Sequence, residues 1–324
     1  MKFYYFISPE TDAYTNLAYD TYLLNALDRD SVCLLFYVNE NAVIIGRNQN
    51  PYRECNLDRM TLDGVQLARR VSGGGAVYHD IGNLNYSFLC PADSCSEEEQ
   101  TQLICRALSQ FGLFAEKNGR NDLTLDGKKF SGNAFCTKGK NQMRHGTLMV
   151  DCDTEKMSRY LTVSRVKLET KGVKSVRSRV CNLREYSKEI TVDSLRDTIL
   201  DEYRTVYPVA CPYPFDEEAE REVWKIRTEL SSDAWLYGES PAFSVSLEHR
   251  FSFGTTQIQF AVRDGKIADC RVYTDSLDLM ISERLQASLD GILFDKNAIK
   301  TALSPDFSEV SDVISEKLPG TSTK

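Results

Sequence analysis

Arg69-Arg70-Val71-Ser72-Gly73-Gly74-Gly75-Ala76-Val77-Tyr78-His79-Asp80 is the stretch around which the rest of this sequence is read. A mostly apolar run at 65–68 leads into two arginines, three consecutive glycines, and then Ala76, Val77 and Tyr78. The pattern predicts strand, tight loop, strand. Glycine loses more conformational freedom on folding than any other residue, so three in a row imply that the backbone comes close to something. In such a loop N–H groups can converge on an anion, and the two arginines add forked donors for phosphate or carboxylate. A bulged hairpin turn is the plain alternative, and the pattern leaves both open.

On the N-terminal side, apolar residues within 16–27 recur at helical spacing, with Asp12 or Thr15 as the cap. Residues 32–38 and 42–45 read as strands about the turn Asn39-Glu40-Asn41. Gly46-Arg47-Asn48-Gln49-Asn50-Pro51 reads as a polar connector with one arginine.

On the C-terminal side, 83–88 alternates as a strand, and 97–111 is an amphipathic helix. Glu97, Glu98 and Glu99 lie in its first turn, where the helix dipole favours negative charge. Asp126-Gly127 is a two-residue hairpin signal that puts Asn121 and Asp122 at a strand start and Lys129 on the returning strand. Lys129 and Phe130 alternate, so one faces in and the other out. A lone strand lysine is usually a solvated edge residue. Ser131-Gly132 just beyond it marks a second place of close backbone approach. Residues 145–150 form a further strand.

The basic residues Lys167, Lys171, Lys174, Arg177, Arg179 and Arg184 are conspicuous in a chain of net charge −8. They read as a solvated loop, or as a basic loop closing over a phosphate-bearing ligand. Helices are expected at 192–206 and 217–230, with a boundary at the turn 237–241. Beyond it, strands at 251–253, 257–262 and 267–273 and helices at 277–289, 297–303 and 307–318 make a small α+β unit.

The acidic balance argues against a general nucleic-acid or anionic-membrane binder. No apolar run approaches the ~20 residues of a membrane span, and the N-terminus does not resemble a signal peptide. The ten cysteines form no CxxC pair and read as reduced thiols of a cytoplasmic protein. His79, His145 and His249 have no ligand spacing, and no metal-ligand set is read from the sequence.

A P-loop, a GxGxxG fingerprint and a GxSxG elbow are all absent. What remains is a glycine-rich loop beside arginines, a lysine after a hairpin and a basic segment. These suit activation of a carboxylate by ATP. A carboxylate is a poor acyl donor until it becomes a mixed anhydride with AMP. Two anions must meet in that step, so fixed positive charge and aimed N–H groups are needed.

At these residues the sequence resembles the lipoate–protein ligases, of the superfamily shared with biotinyl ligases and octanoyltransferases. The resemblance is carried, in order, by Gly46 to Pro51, Arg69 to Asp80, Gly119-Arg120-Asn121-Asp122-Leu123, Lys129-Phe130-Ser131-Gly132, His145-Gly146-Thr147-Leu148, the 172–180 segment and Val272-Tyr273-Thr274-Asp275-Ser276-Leu277. It implies an α+β fold: a large mixed-sheet catalytic domain of the biotinyl/lipoyl ligase type at 1–245, and a small α+β accessory domain at 246–324. It implies a ligase that converts lipoate and ATP, usually with Mg²⁺, to lipoyl-AMP and pyrophosphate. The lipoyl group then passes to a lysine of a dehydrogenase E2 lipoyl domain or of glycine-cleavage H protein.

Carried over by residue, Lys129 holds the lipoyl carbonyl and the phosphate. Arg70, Gly74, Gly75, Ala76, Val77, Tyr78, His79, Asn121, Asp122, Ser131, Gly132 and His145 bind ATP or the adenylate. Lys174, Ser175, Val176 and Arg177 form an adenylate-binding loop. A cytoplasmic monomer is expected. Two alternatives stand beside this reading: an ATP-independent octanoyl or lipoyl transferase of the same fold, and a non-enzymatic lipoate sensor. Some such transferases use a cysteine nucleophile; Cys136 lies near Lys129 but reads as a core residue.

Overall fold

The computed structural model describes residues 1–324 except 95, 119–120, 163–179, 237–244, 264–265, 295 and 318–324. Its largest sheet has eight strands. In spatial order they are β11 (Cys211–Pro212), β1 (Lys2–Ile7), β2 (Ser31–Tyr37), β6 (Asn83–Pro91), β10 (Asn141–Met149), β9 (Lys128–Lys138), β8 (Asp122–Leu125) and β7 (Glu116–Asn118). The β11–β1 and β1–β2 pairs are parallel and the others antiparallel, so the sheet is mixed. β2 and β6 are buried along their whole length, which is why 32–38 reads as a continuous apolar run.

Helices cover both faces. α1 (Ala13–Ala26) is capped by Asp12, whose Oδ2 accepts from Thr15 N at 2.9 Å. Two short helices, α2 (Pro51–Glu54) and α3 (Leu57–Leu62), follow β3 (Ala42–Ile45). α4 (Glu97–Ser109) and α6 (Val192–Val206) pack Leu103, Ile104, Leu195 and Ile199 onto one face of the sheet, with α5 (Thr154–Tyr160) lying between them in the chain. α7 (Glu217–Leu230) contacts α1 on the other face, and α8 (Asp233–Leu236) follows it. The helices at 192–206 and 217–230 end where their sequence periods predict. β1 and β11 complete an edge that the sequence reading did not predict.

The glycine stretch is not a hairpin. β4 (Gln66–Arg69) and β5 (Val77–His79) do not pair with each other but flank β3 on either side, β4 parallel to it and β5 antiparallel. The loop therefore spans a strand instead of turning back on its neighbour.

A third sheet, β12 (Val245–Phe251), β13 (Gly254–Arg263) and β14 (Lys266–Thr274), has its own core with α9 (Ile281–Leu289), α10 (Lys296–Leu303) and α11 (Ser308–Lys317). The strand expected at 251–253 is corrected: β12 ends at Phe251, and a turn separates it from β13. The segment after β14 meets the glycine loop. Gly74 N donates to Ser276 O at 3.2 Å, Thr274 N to Asn48 O at 2.8 Å, and Asn48 Nδ2 to Leu279 O at 3.0 Å.

Among the described residues eight cysteines are free, six of them buried. Cys90 is disulfide-bonded, which corrects the expectation of ten reduced thiols. Among the described residues no helix is long and apolar enough to cross a membrane.

Candidate active site

The two arginines before the glycines point to different tasks. Arg69 is buried, and its guanidinium donates to Gly46 O, Arg47 O and Gln49 O at 3.2, 2.9 and 2.7 Å. It also reaches Trp235 O at 2.9 Å and Leu236 O at 2.5 Å, while Arg47 stacks over the Trp235 ring at 4.2 Å. So the 46–51 segment, which reads as a plain connector, is held by a buried cation.

Arg70 turns into the glycine loop. Its Nη2 donates to Gly73 O at 2.7 Å and Gly75 O at 2.8 Å, its Nη1 to Ile44 O at 3.2 Å, and its Nε to Ser72 Oγ at 3.1 Å. Among the described residues both guanidiniums donate to carbonyls and, for Arg70, to the Ser72 hydroxyl, with no carboxylate partner. Burial lowers each to a pKa of about 10, which still leaves both charged at neutral pH. The loop thus sits on permanent positive charge.

Its glycines are required at different points. A Cβ at Gly46 would stand 2.2 Å from Gly74 O, and one at Gly73 2.3 Å from Ser276 O. Gly74 has φ +95°, a left-handed value. A Cβ at Gly75 would meet nothing within 4 Å, because that position opens on a cleft. The Gly74 N–H is engaged by Ser276 O and so is not offered to an anion in this structure.

The second wall is the β8–β9 hairpin. Asp126 and Gly127 turn with φ of 50° and 74°. The register shifts so that Leu123 pairs with Ser131 but Thr124 with Lys129, which leaves Phe130 as a bulge residue. Phe130 is fully buried, and Lys129 faces the cleft with Nζ 2.8 Å from Asp122 Oδ1. Asn133 ties this wall to the sheet. Tyr86 Oη donates to its Oδ1 at 2.6 Å, and its own Nδ2 donates to Asn121 O at 3.1 Å. Gly146 leaves room for that pair, since a Cβ there would lie 2.6 Å from Tyr86 Oη.

Between the walls lies a cleft of about 780 Å³. Among the expected site residues it is lined by Arg70, Gly74, Gly75, Ala76, Val77 and His79 from the glycine stretch. Asn121, Asp122, Lys129, Gly132 and His145 line it from the sheet. Tyr78 instead packs against Tyr160, with its hydroxyl on Asn41 Oδ1 at 3.1 Å, and Ser131 is buried within β9. Lys174, Ser175, Val176 and Arg177 lie outside the described residues.

The inner end holds groups that sequence reasoning missed. Asp20 and Tyr37 are buried, with Tyr37 Oη donating to Asp20 Oδ2 at 3.3 Å. His145 Nδ1 lies 3.1 Å from the same oxygen, and His145 Nε2 lies 2.6 Å from Ser72 Oγ. Ser, His and Asp in line suggest a nucleophile relay. However, Ser72 has no accessible surface, and its oxygen already accepts from Arg70. The chain therefore orients the imidazole and braces the loop. Asn39 Nδ2 donates to His79 Nδ1 at 3.0 Å, so His79 carries its proton on Nε2. Burial, and then the charges of Arg70 and His145, push its pKa down to about 3, so it is neutral. The only signal for Asp20 was that it is the one charged residue of α1.

Cys136 is buried, and burial pushes its thiol pKa up. Among the described residues no group of three or more His, Cys, Asp or Glu could hold a metal ion.

Residues 12–204 match the family described as lipoyl protein ligase A/B catalytic domain, and 240–318 that described as bacterial lipoate protein ligase C-terminus. Lipoate-protein ligase A of Psychrobacter cryohalolentis is 35% identical over 99% of this chain and 99% of its own. The crystal structure of P. falciparum LipL1 in complex with lipoate has TM-score 0.83 at 27% identity, covering 97% of this chain and 98% of that one. That of a lipoate-protein ligase A bound with ATP has TM-score 0.63 at 25% identity, covering 73% and 98%.

Proposed function

This chain belongs to the lipoate–protein ligase family, and from that premise we propose that it activates free lipoate with ATP and then lipoylates an acceptor protein. In the first step a lipoate carboxylate oxygen attacks the α-phosphorus of ATP. The bond to the β-phosphate breaks, giving lipoyl-AMP and pyrophosphate. In the second, a neutral acceptor lysine attacks the acyl carbonyl, loses a proton, and AMP leaves. The acceptors are lipoyl domains of 2-oxoacid dehydrogenase E2 subunits or glycine-cleavage H protein. The enzyme is a cytoplasmic monomer, with its catalytic part at 1–245 and its accessory part at 246–324.

One observation carries this reading: a single cleft brings Lys129, Asp122 and Asn121 against the glycine loop and the buried Arg70. Lys129 is the catalytic residue, donating to the acyl carbonyl and an α-phosphate oxygen as negative charge builds between them. Loss of one such preorganised donor costs ~3 kcal/mol. Arg70 acts from beneath, fixing the loop and supplying field. Gly74, Gly75, Ala76 and Val77 receive the nucleotide, while Asp122 holds the lysine between substrates. Tyr78 shapes the glycine-loop wall from behind, and Ser131 the β8–β9 wall. His79 and His145 close the inner end over the lipoyl tail, and Lys174, Ser175, Val176 and Arg177 contribute the adenylate-binding loop.

Mg²⁺ prefers oxygen ligands and often binds through substrate phosphates with one or two carboxylates. Asp122, a carboxylate that lines the cleft beside Lys129, suits that role. The ion would neutralise phosphate charge. The cysteine-dependent transferase alternative is disfavoured because burial raises the Cys136 pKa, opposing the thiolate.

The test is pyrophosphate release by purified protein given lipoate and ATP, with mass spectrometry of an acceptor domain. Release that requires lipoate, an acceptor mass gain that requires ATP, and loss of both in Lys129→Ala are expected. A mass gain without ATP would overturn the ligase reading.

A further inference from the structure

We propose that Arg250, carried by the C-terminal sheet, is a substrate-contacting residue of the activation step and takes the phosphates that leave as pyrophosphate. The proposal rests on the ligase reading above. Arg250 lines the same cleft as Lys129 and the glycine loop. Its Nη1 donates to Thr255 Oγ1 at 2.9 Å, with Asp275 Oδ1 at 3.6 Å. Asp275 is itself fixed, accepting from Thr255 N at 2.7 Å, and Gly254 leaves it space, since a Cβ there would stand 2.8 Å from Oδ1. The next residue, Ser276, accepts from Gly74 N. That chain of contacts sets the guanidinium beside the glycine loop, on a different wall from Lys129.

Charge makes the case. Among the described lining residues Arg70, Lys129 and Arg250 are the permanent cations, and Glu54, Asp122 and Asp275 are the carboxylates. Arg70 is bonded to the loop's carbonyls, and Lys129 is held by Asp122. Among the described residues, Arg250 has no partner for Nε or Nη2. Its side chain is 45% exposed, so its fork is turned to the open space. A planar fork with two unused donors matches two phosphate oxygens. Lys129 serves the α-phosphate, so the guanidinium falls to the β- and γ-phosphates.

The experiment separates the two half-reactions. In Arg250→Ala, kcat/KM for ATP in lipoate-dependent pyrophosphate release should fall about tenfold to hundredfold, the loss of a charge-assisted pair. Transfer from supplied lipoyl-AMP to an acceptor should stay within about twofold, because that step contains no pyrophosphate. Arg250→Lys should recover part of the loss. Calorimetry with inorganic pyrophosphate should show binding weakened in Arg250→Ala. An equal fall in both half-reactions, or unchanged pyrophosphate binding, overturns the proposal. If the wild type releases no pyrophosphate with lipoate, the ligase reading fails. The calorimetry still decides whether Arg250 holds phosphate.

Discussion

Lys129 reaches the cleft through space that only a glycine at 132 leaves open: a Cβ there would stand 2.9 Å from Lys129 Nζ and 3.1 Å from its Cε. The atoms in the way belong to the far end of a flexible side chain. A methyl group would therefore leave the fold intact and move the amine away from Asp122, now 2.8 Å off. Gly132→Ala should retain the wild-type Tm and lose about tenfold to hundredfold in pyrophosphate release, up to the ~3 kcal/mol of one preorganised donor. Unchanged turnover would show that the amine acts from some other position.

Arg69 should behave in the opposite way. Its guanidinium donates to carbonyls of Gly46, Arg47, Gln49, Trp235 and Leu236, drawing these segments onto β4 without itself lining the cleft. In Arg69→Met those carbonyls lose their donor inside the protein, at a cost of at least about 3 kcal/mol. The Tm should drop by roughly 6–12 °C. Lys129→Ala, on a half-exposed side chain, should leave it almost unmoved. Thermal scans of the two variants check this; a Tm for Arg69→Met equal to wild type would remove its structural role.

These contrasts show what could be read beforehand. Local signals survived. Thr191 and Asp216 cap α6 and α7 where the periodicity starts, and Asp126-Gly127 turns the hairpin as its sequence predicts. Lys129 and Phe130 do divide between cleft and core, with a bulge re-aiming them. Long-range facts did not survive. The glycine stretch reads equally as a hairpin because nothing local says that β3, over twenty residues earlier, separates its two strands. Asp20 and Ser72 meet His145, and Tyr37 meets Asp20, only after α1, β2 and β10 are assembled, and apart from the charge of Asp20 in α1 none is unusual in its own segment. Arg250 is a single strand arginine, which in sequence is indistinguishable from a solvated one.

The glycines of the loop should separate under the same small change. At Gly46 a Cβ meets the Gly74 carbonyl at 2.2 Å, backbone against backbone, so one segment must shift. Gly46→Ala should lower both stability, by about 2 kcal/mol, and activity. At Gly75 a Cβ meets nothing within 4 Å and enters the cleft. Gly75→Ala should keep the wild-type Tm and raise the KM for ATP several-fold. Equal effects in the two variants would mean that Gly75 does not face the nucleotide.

His79 should give the protein an acid-labile component. Its pKa is depressed from 6.5 to about 3 by burial first, with the charges of Arg70 and His145 adding to it. A depressed histidine stabilises the fold where the imidazole is neutral, above pH 6.5. As the pH falls below 6.5, the unfolded chain binds a proton that the folded one refuses until about pH 3, so stability is lost across that window. In His79→Gln this component is absent, and Oε1 can still accept from Asn39. Urea midpoints should therefore separate on acidification, the wild type losing about 2 kcal/mol more than the variant between roughly pH 6.5 and 4.5. Carboxylate protonation affects both proteins alike and cancels in the difference. Parallel midpoints across that range would mean that His79 takes up its proton without resistance, and that the inner end of the cleft is wetter than its burial implies.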